Sequence, residues 1–178
     1  DRRDLLRFAA GATLLGAAAC ASSAQPPRPD EPAAASNRLA VPADGKVRVA
    51  VLLSPGAEVV DFAGPWGVFE YADPPGAENP FELFLVAEQA TPFAVSGGLT
   101  VVPKYTFADA PAPQVIVIPA MYTPTPALLA WLQRAAKSAQ LTMSVCTGAF
   151  VLAEAGLLAG RRATTHHGAL SLLAAQFP

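Results

Sequence analysis

The stretch from Leu141 to Ala155, Leu-Thr-Met-Ser-Val-Cys-Thr-Gly-Ala-Phe-Val-Leu-Ala-Glu-Ala, limits what this chain can fold into more than any other. Five residues of strand character lead into Cys146, and within two residues the pattern becomes helical and runs to Gly156. A Cys at a strand-to-helix corner has the geometry of a nucleophile elbow, where a sharp turn lifts the side chain out of the carboxyl edge of a parallel sheet. Gly148, two residues on, leaves room for helix and strand to approach closely. The amides of Thr147 and Gly148 are expected in the first helical turn, unpaired within the helix and at its positive pole, where they favour a thiolate. A lone Cys in an apolar neighbourhood also reads as a small buried hydrophobe. The strand, Cys, Gly and helix in succession favour the nucleophile.

The body of the chain suits one globular domain. Of 178 residues, 52% are hydrophobic and 15% charged, enough apolar material for a substantial core. The formal charge is -2 and no Lys/Arg-rich patch interrupts the body, so a small-molecule ligand or substrate is expected and nucleic acid is not. Cys20 and Cys146 are the two cysteines, and with Cys20 in a removable leader no internal disulfide forms. Adjacent His166 and His167 with one distant Cys make no zinc set, so neither metal nor cofactor is expected.

Residues 1–21 read as a twin-arginine export signal: Arg2-Arg3 precede an apolar run from Phe8 to Ala19 that is shorter than the roughly 20 residues a membrane span needs. The implied destination is the periplasm or the outside of the cell. Cys20, preceded by small residues, is alternatively a lipid-attachment site, which would make the product a membrane-anchored lipoprotein. Residues 22–45 are Pro- and Ala-rich and form an extended linker. The folded part spans residues 46–178. The missing initiator Met and the abrupt end at Pro178 read as those of a fragment.

Val47 to Leu53 is a run fit for a strand buried on both faces. Asp61-Phe62-Ala63-Gly64-Pro65-Trp66 then reads as a helix start, with Pro65 in its first turn and Asp61 either an N-cap or a functional carboxylate. Phe81 to Ala87 and Val115 to Ile118 are further strands, and Gly97-Gly98 marks a turn between short extended pieces. Thr125-Pro126 opens a helix whose Leu128, Leu132, Ala135 and Ala139 form one stripe, with Trp131 as packing. Arg162 to Thr165 is expected as a short strand delivering His166, and Gly168 to Phe177 as a last helix. Alternating strands and helices imply an α/β three-layer sandwich with a mostly parallel sheet, flavodoxin-like, binding ligands at the strands' carboxyl ends. Cys146, His166 and the connection holding Asp61 converge there.

With these residues assembled, the chain resembles the PfpI superfamily, whose fold is that of class I glutamine amidotransferases. The resemblance rests on Asp61-Phe62-Ala63-Gly64-Pro65 with Phe69, on Val145-Cys146-Thr147-Gly148-Ala149-Phe150-Val151-Leu152-Ala153, and on Ala155-Gly156-Leu157-Leu158 running to Arg161-Arg162-Ala163-Thr164-Thr165-His166. Its motifs are closest to isonitrile hydratase and to the amidase-like domain of AraC-type regulators. The resemblance implies Cys146 as nucleophile, Asp61 as the acid beside it and His166 near the thiol. Thr147, Gly148, Ala120, Met121, Gly64 and Trp66 then line the pocket, and the assembly admits a homodimer. Members commonly carry a Gly-Gly pair after the strand ending at Ile118, where this chain has Pro119-Ala120-Met121. They also carry a terminal strand and helix beyond the point where this chain stops. The expected function is an exported protein using its cysteine for hydrolase or hydratase chemistry of isonitrile hydratase type. The alternative is a non-catalytic small-molecule-binding or thiol-based redox-sensing domain.

Overall fold

The computed structural model describes residues 39–72 and 78–178. The expected export signal, most of the linker and the Asp73-Pro74-Pro75-Gly76 helix stop lie outside the described residues. Strands β1 (Val47–Leu52), β2 (Phe81–Ala87), β5 (Tyr105–Thr106), β6 (Val115–Ile118) and β7 (Leu141–Ser144) form a five-stranded sheet in the order β5-β2-β1-β6-β7. Every pair in it is parallel. The short strands β3 (Phe93–Ala94) and β4 (Thr100–Val101) form a separate antiparallel pair around the Gly97-Gly98 turn.

Period-two alternation along the strands divides the core between the two faces of the sheet. Ala50, Leu52, Phe84, Val86, Ile116 and Ile118 pack against Leu128, Trp131 and Leu132 of helix α2 (Pro126–Ala136) and Val151, Leu152 and Ala155 in and after helix α3 (Gly148–Glu154). Val47, Val49, Val51, Val115 and Val117 face the other way, onto Phe62, Trp66 and Phe69 of helix α1 (Val59–Glu70) and onto Phe93, Val95 and Val101 of the hairpin. The result is the expected three-layer sandwich. Helix α4 (Leu170–Gln176), entered through a 3-10 turn at His167–Ala169, buries only Leu173 of its own residues.

Chain ends of elements follow local chemistry. The Thr125 side chain accepts from the Leu128 amide at 3.1 Å and Pro126 opens α2, as the Thr-Pro pair requires. Helix α3 ends in a Schellman turn: Leu157 donates to the Leu152 carbonyl and Gly156 to that of Ala153, with Gly156 at φ 73°. Trp131 is buried and stacks on Phe107, in agreement with a packing role.

Three expectations are corrected. Helix α1 begins at Val59, so Asp61 lies inside its first turn instead of capping it, and Pro65 sits in the helix interior. The capping role falls to a residue far away in sequence, since the Ser96 hydroxyl accepts from the Val59 amide at 3.0 Å and donates to Glu58 at 3.0 Å. Second, Ala139 lies beyond the end of α2. Third, Arg162 to Thr165 is not a strand: the segment is irregular and mostly exposed and pairs with no strand, and β7 remains the sheet edge. A strand exists only through a partner's ladder, and the backbone of this segment finds none.

Candidate functional site

The order β2-β1-β6-β7 reverses direction of growth at β1, which places a topological switch point between the carboxyl ends of β1 and β6. Both ends are stitched together there. Glu58 donates its amide to the Ala120 carbonyl at 2.8 Å, and the Ala120 amide donates to Asp61 Oδ2 at 3.1 Å. Asp61 is 6% exposed and is the one buried charged residue among those described. Burying a carboxylate is costly without donors, and the clasp with Ala120 supplies one while fixing where the group stands.

The elbow lies one strand over. The last ladder bond of β7 runs from the Val145 amide to the Ile118 carbonyl at 2.9 Å, after which the chain turns at Cys146. Cys146 has φ 54° and is the one non-glycine residue with positive φ among those described. Its side chain is half-buried and its thiol is free. The turn closes by a bond from the Gly148 amide to the Val145 carbonyl at 2.9 Å. A Cβ on Gly148 would stand 2.2 Å from the Ile118 carbonyl oxygen and 2.8 Å from that of Pro119. Gly148 is thus required for the approach of α3 to the end of β6, which is also the strand end that leads to Ala120.

His166 arrives from the irregular segment after α3. Its neighbour Thr165 donates its hydroxyl to the Cys146 carbonyl at 3.0 Å, tying that segment to the elbow. The His166 ring is exposed; its Nδ1 accepts from the Gly168 amide at 3.2 Å and the ring lies 4.1 Å from that of His167. Acceptance at Nδ1 leaves the neutral ring with its proton on Nε2.

The backbone amides among the other candidate pocket residues differ in their partners. Gly148 and Ala120 do not offer unpaired amides, because the first is bonded to Val145 and the second to Asp61. The amides of Thr147 and Met121 donate to no protein acceptor among the described residues. Met121 is half-buried and packs against both core layers. Trp66 packs with Phe62 and Phe69 over the α1 face of the sheet. It lines a shallow hollow with Phe62, Gly67 and Leu85. Gly64 is exposed and a Cβ there would meet nothing. A cavity of about 560 Å³ lies between α3 and α4 around Ala153, Leu158, Arg161 and Leu173, and none of Cys146, Asp61 and His166 lines it.

Thr165 belongs to the stretch Arg161 to His166 that carries the resemblance, but nothing in the sequence gives it a role of its own, and Ser96 belongs to no motif.

Comparison with known proteins agrees with this architecture. Residues 47–176 match the DJ-1/PfpI family. The chain is 39% identical over 140 residues to an uncharacterized Streptomyces lividans protein from the cpoL 5′ region, covering 75% of this chain and 97% of that one. It is 35% identical over 125 residues to isonitrile hydratase of Pseudomonas putida, covering 67% of this chain and 52% of that one. It is 29% identical over 131 residues to the HTH-type transcriptional regulator CdhR of Pseudomonas aeruginosa, with 71% of this chain and 39% of the regulator covered. The chain thus spans about half the hydratase and less of the regulator. Among solved structures, a ThiJ/PfpI family protein of Pseudomonas syringae superposes with a TM-score of 0.61 at 29% identity, over 71% of this chain and 54% of that one. A parallel sheet with its switch point at β1 and β6, an elbow cysteine, and a family match across nearly the whole described body place this chain in the DJ-1/PfpI family.

Proposed function

We propose that this protein uses Cys146 as a nucleophile for hydrolase or hydratase chemistry on a small molecule, of isonitrile hydratase type. The observation that carries this is the left-handed backbone of Cys146 at the corner between β7 and α3. That conformation costs a non-glycine residue about 1–2 kcal/mol, and conformations of this kind cluster at active sites, where surrounding structure maintains them. In the chemistry we draw, the thiol proton passes to the Asp61 carboxylate as sulfur adds to an electrophilic carbon. Asp61 then gives that proton to the atom that takes up the displaced electron pair. In a hydrolase the displaced amine leaves with that first proton; water then adds to the same carbon with its proton received by Asp61, the carbon–sulfur bond breaks with its electron pair on sulfur, and Asp61 returns the proton to restore thiol and carboxylate. The amides of Thr147 and Met121 are the donors available to developing negative charge.

A second reading, a non-catalytic binding or thiol-based redox-sensing domain, draws support from the two amides already committed to Asp61 and Val145. Fewer free donors weaken transition-state stabilisation without impairing a binding pocket. The similarity to a transcriptional regulator is consistent with it. Steady-state assays with an isonitrile, a small amide and an α-oxoaldehyde separate the readings. The expected outcome is turnover of at least one of them that falls at least 100-fold in Cys146→Ala. Saturable binding without turnover, unchanged in that variant, overturns the enzyme in favour of the binding module; stoichiometric consumption of peroxide by Cys146, with no turnover, overturns it in favour of the sensor.

We also propose that residues 1–21 direct twin-arginine export and residues 22–45 tether the domain of residues 46–178 outside the cytoplasm, with Cys20 as an alternative lipid anchor. Mass spectrometry of the amino terminus from fractionated cells is expected to show cleavage near residue 21 or a lipid-modified Cys20. An uncleaved cytoplasmic protein rejects both. A homodimer is proposed on the exposure of Val60 and Val68 on α1 and of Tyr71 just past its end, at 68%, 71% and 77%, and sedimentation velocity reads it directly.

A further inference from the structure

A second cleft opens at the same carboxyl edge of the sheet, on the α2 side, with a volume of about 320 Å³. None of Cys146, Asp61 and His166 lines it. Its walls come from the ends of β1 and β2, from the hairpin, from the segment after β5, and from the connection into α2. That position is one where open α/β sheets receive ligands, and the volume matches the small end of known ligand pockets.

The lining has a definite chemistry. Among the described residues no Lys, Arg or His contributes to it, and its one ionisable group is the Glu88 carboxylate. Glu88 is exposed at the rim and has one side-chain bond: its Oε2 accepts from the Thr125 hydroxyl at 2.8 Å, and that hydroxyl oxygen in turn accepts from the Leu128 amide at 3.1 Å. The one hydroxyl proton of Thr125 is thereby committed, while Glu88 Oε1 receives no donor from the described protein atoms. Phe93, Phe107 and Leu128 form the apolar wall, with Phe107 fixed by stacking on Trp131 at 5.4 Å between ring centroids. A positioned carboxylate beside aromatic rings favours a cation through charge and through the ring quadrupole. An anion meets only repulsion from Glu88.

We propose that this cleft is a second binding site, selective for a small organic cation that carries a flat apolar group. The ammonium meets Glu88 Oε1 at the mouth and the apolar part lies against Phe93 and Phe107. A purely structural Glu88, present to complement the positive end of α2, accounts for the Thr125 bond and predicts no ligand preference.

The test uses the full chain and three probes of one shape: benzylamine, benzyl alcohol and benzoate, titrated at neutral pH and low salt with two-dimensional NMR detection. Benzylamine is expected to shift signals of Phe93, Phe107 and Leu128 saturably, with benzoate at least tenfold weaker and benzyl alcohol between them. Glu88→Gln keeps an acceptor for the Thr125 hydroxyl and removes the charge. It is expected to weaken benzylamine at least fivefold while leaving the melting temperature and the benzyl alcohol affinity in place. Equal binding of benzylamine and benzoate, or benzylamine shifts absent from those three residues, overturns the proposal using the wild-type protein alone. So does an unchanged benzylamine affinity in a folded Glu88→Gln. Because no step involves Cys146, these outcomes stand apart from the turnover assays.

Discussion

Gly148 and Cys146 show how narrowly single residues are specified at the elbow. The space beside Gly148 is filled by two backbone carbonyl oxygens, which cannot swing aside as a flexible side chain can. Gly148→Ala is expected to destabilise the fold by about 1–3 kcal/mol, the range for overpacking, and equilibrium urea unfolding checks it. Cys146 keeps its left-handed backbone through bonds on either side of it and through the Thr165 hydroxyl on its own carbonyl. Thr165→Val preserves shape and removes that bond, a net loss of about 1 kcal/mol. Cys146 alkylation by iodoacetamide is expected to slow several-fold in Thr165→Val and to return to the wild-type rate in Thr165→Ser. Equal rates in all three would show that the elbow holds itself without Thr165.

At the scale of elements, short strands and helix ends depend on side chains outside them. β5 has two residues, and its register beside β2 is followed at once by a turn in which Asp109 Oδ1 accepts from the Thr106 amide at 2.7 Å and the Thr106 hydroxyl at 2.6 Å. The Thr106 hydroxyl, and after it the Thr106 amide, hold the Asp109 carboxyl below its ordinary value. A carboxyl depressed in the folded state adds stability above its unfolded value of about 3.9, and that stability is lost as pH falls through the folded value. Wild type is therefore expected to exceed Asp109→Ala in stability at neutral pH, with the margin closing as the solution is acidified below about pH 4. Denaturation midpoints of the two proteins across that range check it. β5 was not foreseen from sequence, because two residues carry no period and its existence rests on the open edge of β2.

For the whole molecule, the sheet order makes β1 the central strand, buried between the two core layers at every residue but Arg48, while α4 contacts the body through one buried residue. Native-state hydrogen exchange is expected to be slowest at β1 and β6 and fastest, among the helices, at α4. Protection of α4 equal to that of β1 would contradict this distribution of stability. The sequence by itself determined the elements whose signals are local: Phe81–Ala87 and Val115–Ile118 are runs apolar enough for a sheet interior and bounded by Pro, Thr125-Pro126 is a cap, and strand, Cys and Gly in succession make a corner. From alternation it also determined a parallel three-layer sandwich. The tertiary structure alone decided that Asp61 is buried and clasped by Ala120, that Ser96 caps α1 and that Thr165 anchors the elbow. It likewise decided that the Gly148 amide is already taken and that Arg162 to Thr165 gains no partner strand. The division has one cause. Apolar period and turn chemistry are written within a few neighbouring residues, whereas a buried polar group is satisfied by whichever distant backbone the fold brings against it.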